Sequence, residues 1–197
     1  VFTVGEVRFG IVICEDYWFP HAPAAAQAAG AQVILALNAS PYHLDKQHLR
    51  IDIARRNVTP LGVPILSANL VGGQDELVFD GVSFGVDARG EIIGQALSFE
   101  PDLLMINMHL TDDAQIRFDQ SRIEPVLSLD AQIYQTLVLG VRDYLGKNGF
   151  PGALLGMSGG IDSALTLAVA VDAIGAENVR AVMMPSRYTA DISLEDA

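Results

Sequence analysis

The hydrophobic and polar positions of the chain fall first into a strand. Over residues 4–13, Val7, Phe9, Ile11 and Ile13 alternate with Arg8, Gly10 and Val12, the period of two that a β-strand imposes. It runs into Cys14-Glu15-Asp16. Pro20 and Pro23 then open an alanine-rich helix over about 22–29, closed by Gly30, and Val33-Ile34-Leu35-Ala36-Leu37 follows as a buried strand. A second helix is predicted over about 45–58, with Ile51, Ile53, Ala54 and Val58 on its apolar side and Pro60-Leu61-Gly62 as its stop. The pattern then shortens. Residues 63–70, 77–79, 82–86, 92–97 and 103–110 are β-like runs divided by Gly72-Gly73, Asp80-Gly81 and a hairpin turn at 87–91. The result is a layered α/β block that ends in a strand-rich meander.

From 111 to 130 the chain turns polar, with Asp112-Asp113, Asp119-Gln120 and Pro125, and reads as an interdomain linker. A helix starts at Ser128 or Asp130 and runs to Lys147, with Ile133, Leu137, Val141, Tyr144 and Leu145 on one stripe and Asn148-Gly149 at its end. A strand over 153–157, the loop Ser158-Gly159-Gly160-Ile161-Asp162-Ser163, a helix over 163–174 capped by Gly175 and a strand over 179–184 then make a βαβ unit. The organisation expected is a first domain at 1–110, a linker at 111–130 and a second domain at 131–197.

Composition narrows the partners. The formal net charge of -12, from 24 acidic against 12 basic residues, argues against a general nucleic-acid or anionic-membrane surface. One cysteine excludes an internal disulfide framework and suits a reducing compartment, so a cytoplasmic enzyme is expected. No apolar run reaches the ~18 residues of a membrane-spanning helix. His21, His43, His48 and His109 show no metal-ligand spacing with one another or with Cys14. The chain lacks an initiator Met and ends on what looks like a helix just begun, and it reads as an internal fragment.

The loop at 158–163 is suited to phosphate. A strand, a glycine turn and a helix start bring several backbone N–H groups and a positive helix end around one small volume. Ser158 and Ser163 add hydroxyl donors, while Asp162 facing phosphate calls for a divalent cation such as Mg²⁺ between them. No Lys follows the glycines, as a P-loop requires, and Gly156, Gly159 and Gly160 do not have dinucleotide-fingerprint spacing. The string resembles the Ser-Gly-Gly-x-Asp-Ser signature of the ATP pyrophosphatases. That resemblance implies ATP binding by Gly156, Met157, Ser158, Gly159, Gly160, Ile161, Asp162 and Ser163, with Mg²⁺ at Asp162. It also implies backbone contacts to adenine near Met184; the stretch at 183–186 reads equally as an ordinary strand with a Pro stop.

Cys14 is the second candidate. Alone, a Cys after a strand is a small hydrophobe more often than a nucleophile. Its position at a strand end, followed by Glu15 whose backbone N–H could face an oxyanion, also suits thiolate attack on a carboxamide. The run Gly10-Ile11-Val12-Ile13-Cys14-Glu15-Asp16-Tyr17-Trp18 resembles the nucleophile segment of nitrilase-type amidases. Those enzymes pair the Cys with a Glu and a Lys that precede it, and no Lys precedes Cys14 here. By the same resemblance Ser40 and Lys46, with Glu15, bind glutamine. The plainer readings are a turn or N-cap serine and a solvated helix lysine.

Together the halves resemble the glutamine-dependent NAD⁺ synthetases. Further stretches carry the likeness: 71–81 (Val-Gly-Gly-Gln-Asp-Glu-Leu-Val-Phe-Asp-Gly), 139–144 (Leu-Gly-Val-Arg-Asp-Tyr) and 184–189 (Met-Pro-Ser-Arg-Tyr-Thr). The fold implied is α/β, the C-terminal part of a nitrilase-like αββα sandwich followed by the first βαβ unit of a Rossmann-like ATP pyrophosphatase domain. The reaction implied amidates deamido-NAD⁺ with ATP and ammonia from glutamine, in a homo-oligomer. Deamido-NAD⁺ contacts are expected mostly beyond Ala197, and the isolated chain is expected to have little or no synthetase activity. A stand-alone nitrilase-like amidase and an inactive nucleotide-binding module are the alternatives.

Overall fold

The computed structural model describes residues 1–196, in two compact units. In the first, β1 (Phe2–Val4), β2 (Val7–Ile13), α1 (His21–Ala28), β3 (Val33–Asn38), α2 (Lys46–Asn57) and β4 (Ile65–Asn69) alternate strand with helix. β5 (Val71–Gln74) and β6 (Leu77–Asp80) form a hairpin whose residues 72–78 belong to the second unit, and the first continues with β7 (Phe84–Val86), β8 (Ile92–Gln95), β9 (Met108–Leu110) and β10 (Ile116–Phe118). The main sheet has the order β1-β2-β3-β4-β7-β8, with β2, β3 and β4 parallel and the other pairs antiparallel. Where one strand was predicted over 4–13 there is a hairpin: Val4 pairs with Val7, and Gly5, at φ 57, supplies the turn.

Strand alternation sends the two sheet faces to different neighbours. Val12, Ile34, Ala36, Ile65, Phe84 and Val86 pack against Ile51, Ile53, Ala54 and Val58 of the α2 region. On the other face, Val7, Phe9 and Val33 meet Met108, Leu110, Ile116 and Phe118 of the β9–β10 hairpin. The same face continues through Ile11, Ile13 and Leu37, which are 51%, 63% and 53% exposed. It is the face that an αββα sandwich packs against a second sheet.

Three stretches differ from the sequence expectation. Residues 71–74 form a strand although Gly72-Gly73 had read as a break, because Leu77–Asp80 supplies the ladder partner. Residues 103–107 lie outside any strand; Leu104 and Ile106 instead lean on the sheet at Gly94, where a Cβ would stand 3.3 and 3.4 Å from them. The polar stretch at 111–130 carries β10 and then follows the edge of β8, where Ser121 N–H donates to Ile93 and Gln95 N–H to Arg122.

The second unit comprises residues 72–78 and those from 128 onward. It holds α3 (Leu129–Lys147), β11 (Ala153–Met157), α4 (Ile161–Ile174), β12 (Val179–Met183) and the short α5 (Asp191–Glu195). Ser128 caps α3 by accepting from the Ala131 N–H at 3.4 Å. β11 and β12 are parallel, and Val138, Val169 and Ala173 form the core between α3 and α4. β5 is held to α3 at Gly73, whose N–H donates to Asp143 Oδ2 at 2.8 Å and whose carbonyl accepts from Lys147 Nζ. No helix among the described residues is long and apolar enough to cross a membrane.

Candidate functional sites

Parallel strands leave their C-terminal ends open to ligands, and the first unit places Cys14 and Ser40 there. Ile13 of β2 pairs with Leu37 of β3, so Cys14 and Ser40 stand one and three residues past a matched position. Cys14 is half-buried and adopts φ 49, a left-handed conformation rare for a side chain with a Cβ. A 3₁₀ turn, Cys14–Trp18, begins at this residue, and Asp16 Oδ2 closes it by accepting the Ile13 N–H at 2.8 Å. A strained strand-to-helix turn presents the nucleophile at the top of the sheet in α/β-hydrolases. Glu15, exposed in the same turn, lines a small cavity with Asp16, Phe19 and His21. Asn57 Nδ2 pins the far end of the turn by donating to the Tyr17 and Trp18 carbonyls at 3.2 and 2.5 Å.

Lys46 opens α2 and holds its Nζ 5.0 Å from the centre of the Trp18 ring. It is therefore carried to the Cys14 turn, though onto an aromatic face. Ser40 is buried and does not cap α2. Its Oγ accepts from Arg50 Nε at 3.2 Å, and its carbonyl accepts from Arg50 Nη2 at 2.7 Å. Asn69, at the end of β4, takes the Ser40 N–H at 2.9 Å and returns a bond to the Ser40 carbonyl.

Sequence reasoning missed the pair beneath this loop. Arg50 is 1% exposed and forms a two-pronged ion pair with Asp80, at 3.0 and 2.9 Å. Gln47 joins it, accepting from Arg50 Nη1 and donating to the Val82 carbonyl and Gln95 Oε1. One signal was present: Gln47 and Arg50 lie three apart and share the helix face that Ile51 and Ala54 continue into the core. Tyr17 is also fully buried; burial raises its hydroxyl above 10.0, while the Arg50 charge works against that shift.

In the second unit, β11 ends at Met157 and α4 begins at Ile161, so 158–160 form the turn. Gly159 has φ 74, and a Cβ there would lie 2.6 Å from the Ser193 carbonyl oxygen. Only glycine suits both the conformation and that approach. The loop is tied by its hydroxyls: the Ser158 and Ser163 oxygens are 3.0 Å apart, Ser163 donates to the Gly160 carbonyl, and Gly160 N–H donates to Ser158 Oγ. A cavity of about 510 Å³ opens beside it, lined by Gly156, Met157, Ser158, Met184 and Tyr188 among others. That volume is within the ~300–1,000 Å³ of small-molecule sites. Met184 is 75% exposed, just past β12, while Ile161 is exposed on the first turn of α4. Asp162 is exposed in that turn too, and no cluster of three metal-ligating side chains occurs among the described residues. A lone carboxylate fits Mg²⁺, which takes one or two carboxylates and completes its shell with phosphates and water.

Residues 1–118 match the carbon-nitrogen hydrolase family, and the chain belongs to it. Residues 133–197 match the NAD synthase family. Over 96% of its length the chain is 45% identical to a glutamine-dependent NAD(+) synthetase of Acinetobacter baylyi, and over 98% it is 41% identical to one of Rhodobacter capsulatus. The chain spans 35% of each of these relatives, about a third. Among solved structures, the glutamine-dependent NAD⁺ synthetase of Acinetobacter baumannii, in complex with adenosine diphosphate, superposes with a TM-score of 0.89 at 45% identity. That match covers 98% of this chain and 36% of that one. The synthetase of Cytophaga hutchinsonii shares the fold, with a TM-score of 0.70 at 17% identity over 98% of this chain and 36% of its own.

Proposed function

We propose that this chain carries the nucleophile side of a glutamine-amide hydrolase and the phosphate loop of an ATP-dependent synthetase, which together convert deamido-NAD⁺, ATP and glutamine to NAD⁺, AMP, pyrophosphate and glutamate. The observation that carries the reading is the continuous likeness to glutamine-dependent NAD⁺ synthetases along 96% of the chain, through both strand-end sites. The proposed division is an amidohydrolase part at 1–110, a connection at 111–130 and a synthetase part at 131–197. A cytoplasmic homo-oligomer belongs to the same proposal.

In the first part, the Cys14 thiolate attacks the side-chain amide carbon of glutamine. The C–N bond breaks, the amide nitrogen takes up the proton that the thiol gave up and leaves as ammonia, and a thioester remains that water cleaves to glutamate with return of the thiol. The Glu15 N–H faces the developing oxyanion, and Ser40 with Lys46 hold the amino-acid end of the substrate. In the second part, a carboxylate oxygen of deamido-NAD⁺ attacks the α-phosphorus of ATP and expels pyrophosphate. Ammonia then attacks the acyl carbon of that adenylate and AMP departs. Backbone N–H groups of 158–163 and the start of α4 hold the departing phosphates, while Gly156, Met157 and Met184 border the nucleotide. Asp162 would hold Mg²⁺, which would supply positive charge at the departing phosphates.

The test uses the complete natural protein that carries this chain, supplied with ATP, Mg²⁺, deamido-NAD⁺ and either glutamine or ammonia. Cys14→Ala is expected to abolish NAD⁺ formation from glutamine and retain it from ammonia. Absence of pyrophosphate release by the wild type, or glutamine-dependent synthesis by Cys14→Ala, refutes the proposal.

A further inference from the structure

The hydroxyl of Ser40 is held by a group that can only donate. Arg50 Nε–H points to Ser40 Oγ at 3.2 Å, and a guanidinium has five N–H donors and no acceptor. The proton of Ser40 is therefore directed elsewhere, and among the described residues no acceptor takes it. The main chain of Ser40 is fully engaged: its N–H goes to Asn69 Oδ1 at 2.9 Å, and its carbonyl takes Arg50 Nη2 at 2.7 Å and Asn69 Nδ2 at 3.3 Å. One donor is left over, at the end of β3 beside the Cys14 strand.

Arg50 is itself oriented from the other side. Asp80 grips both terminal nitrogens, at 3.0 and 2.9 Å, and Gln47 accepts from Nη1. The backbone around Asp80 is held in costly conformations: Val82 has φ 51 and Phe99 has φ 62. Val82 accepts from Gln47, and Phe99 N–H donates to the Asp80 carbonyl at 2.9 Å. Left-handed conformations at a β-branched and an aromatic residue persist only where the surroundings enforce them.

We infer that Arg50 is a positioning residue for substrate specificity. By donating to Ser40 Oγ, it turns the Ser40 proton away from itself and leaves that O–H to donate to a ligand, which favours an amide whose far end carries a carboxylate. The inference rests on the reading of the β2 and β3 ends as an amide-hydrolysing site. Asp80 neutralises the charge of Arg50, so Arg50 contributes orientation rather than attraction; the cation at this strand end is Lys46, over Trp18.

The experiment measures ammonia release by the complete natural protein from glutamine and from propionamide, an amide with no carboxylate. Arg50→Lys keeps a positive charge for Asp80 but lacks the fork that reaches both Ser40 Oγ and the Ser40 carbonyl. Loss of a hydrogen bond to a charged group predicts a fall of roughly 10–100-fold in the kcat/KM ratio of glutamine to propionamide, through the KM of glutamine. Ser40→Ala should lower the ratio similarly, and the double variant should lose little more than either single one. Equal losses on both amides in Arg50→Lys, or losses that multiply in the double variant, overturn the inference. Should Arg50→Lys not fold, Ser40→Ala decides, since it deletes one oxygen: a reduced ratio supports the inference and an unchanged ratio overturns it. A wild type that releases no ammonia from either amide refutes the amidohydrolase reading and this inference with it, and the wild-type control tells that failure apart.

Discussion

Replacing Asp80 by Asn is expected to unfold the first unit at much lower denaturant. The Arg50 and Asp80 side chains are 2% and 5% exposed, so Asp80→Asn leaves a guanidinium in the interior with no opposite charge. Breaking a buried pair from one side costs about 3–5 kcal/mol. With an m-value of about 2 kcal/mol per molar urea, the midpoint should fall by roughly 2 M. Arg50→Met should cost about as much, because it leaves the Asp80 carboxylate buried without its opposite charge. Combining Arg50→Met with Asp80→Asn removes both charges, and the double variant should recover about 3 kcal/mol relative to the sum of the singles. Urea titration of the chain, read by the fluorescence of Trp18, reports on this unit alone, since Trp18 is the single tryptophan. An Asp80→Asn midpoint within about 0.3 M of wild type, or single losses that simply add to within ~0.5 kcal/mol, refutes the reasoning.

Two more outcomes follow from individual positions. Gly159→Ala puts a Cβ 2.6 Å from the Ser193 oxygen at φ 74, a strain of about 1–2 kcal/mol before any steric shift, so the KM for ATP in pyrophosphate release should rise roughly tenfold; an unchanged KM contradicts the tight closure of this loop. Tyr17 keeps its proton longer in the folded state than the unfolded value of 10.0, because burial disfavours the phenolate. Its contribution is therefore intact below pH 10 and is lost as pH rises past that value. The urea midpoint should drop between about pH 9 and 11, and Tyr17→Phe should shrink that drop; an identical pH dependence in the variant removes Tyr17 as the cause.

Much of the architecture was legible because it is written locally. The periods of two and 3.6 located β2, β3, β4, β11, β12 and the four longer helices to within a few residues. Strand pairing was harder. β10 lies in a stretch whose Asp112, Asp113 and Asp119 read as linker, and it becomes a strand because Met108–Leu110 pairs with it while Ile116 and Phe118 find the Val7, Phe9 and Val33 cluster. The short strand at 71–74 has two glycines and almost no β-propensity of its own; its ladder comes from 77–80.

The two candidate sites divide along the same line. By itself the sequence determined the glycine turn at 158–163 between β11 and α4, since the glycines, the hydroxyls and the start of α4 are all contiguous. It likewise determined that Cys14 follows a strand. What only the tertiary structure decided is the support behind the first site: Arg50 and Asp80 are 30 residues apart, and Ser40 and Asn69 are 29. A charged side chain on a helix is ordinarily solvated, and it becomes an internal brace only when the folded sheet excludes water and brings its single matching carboxylate within reach.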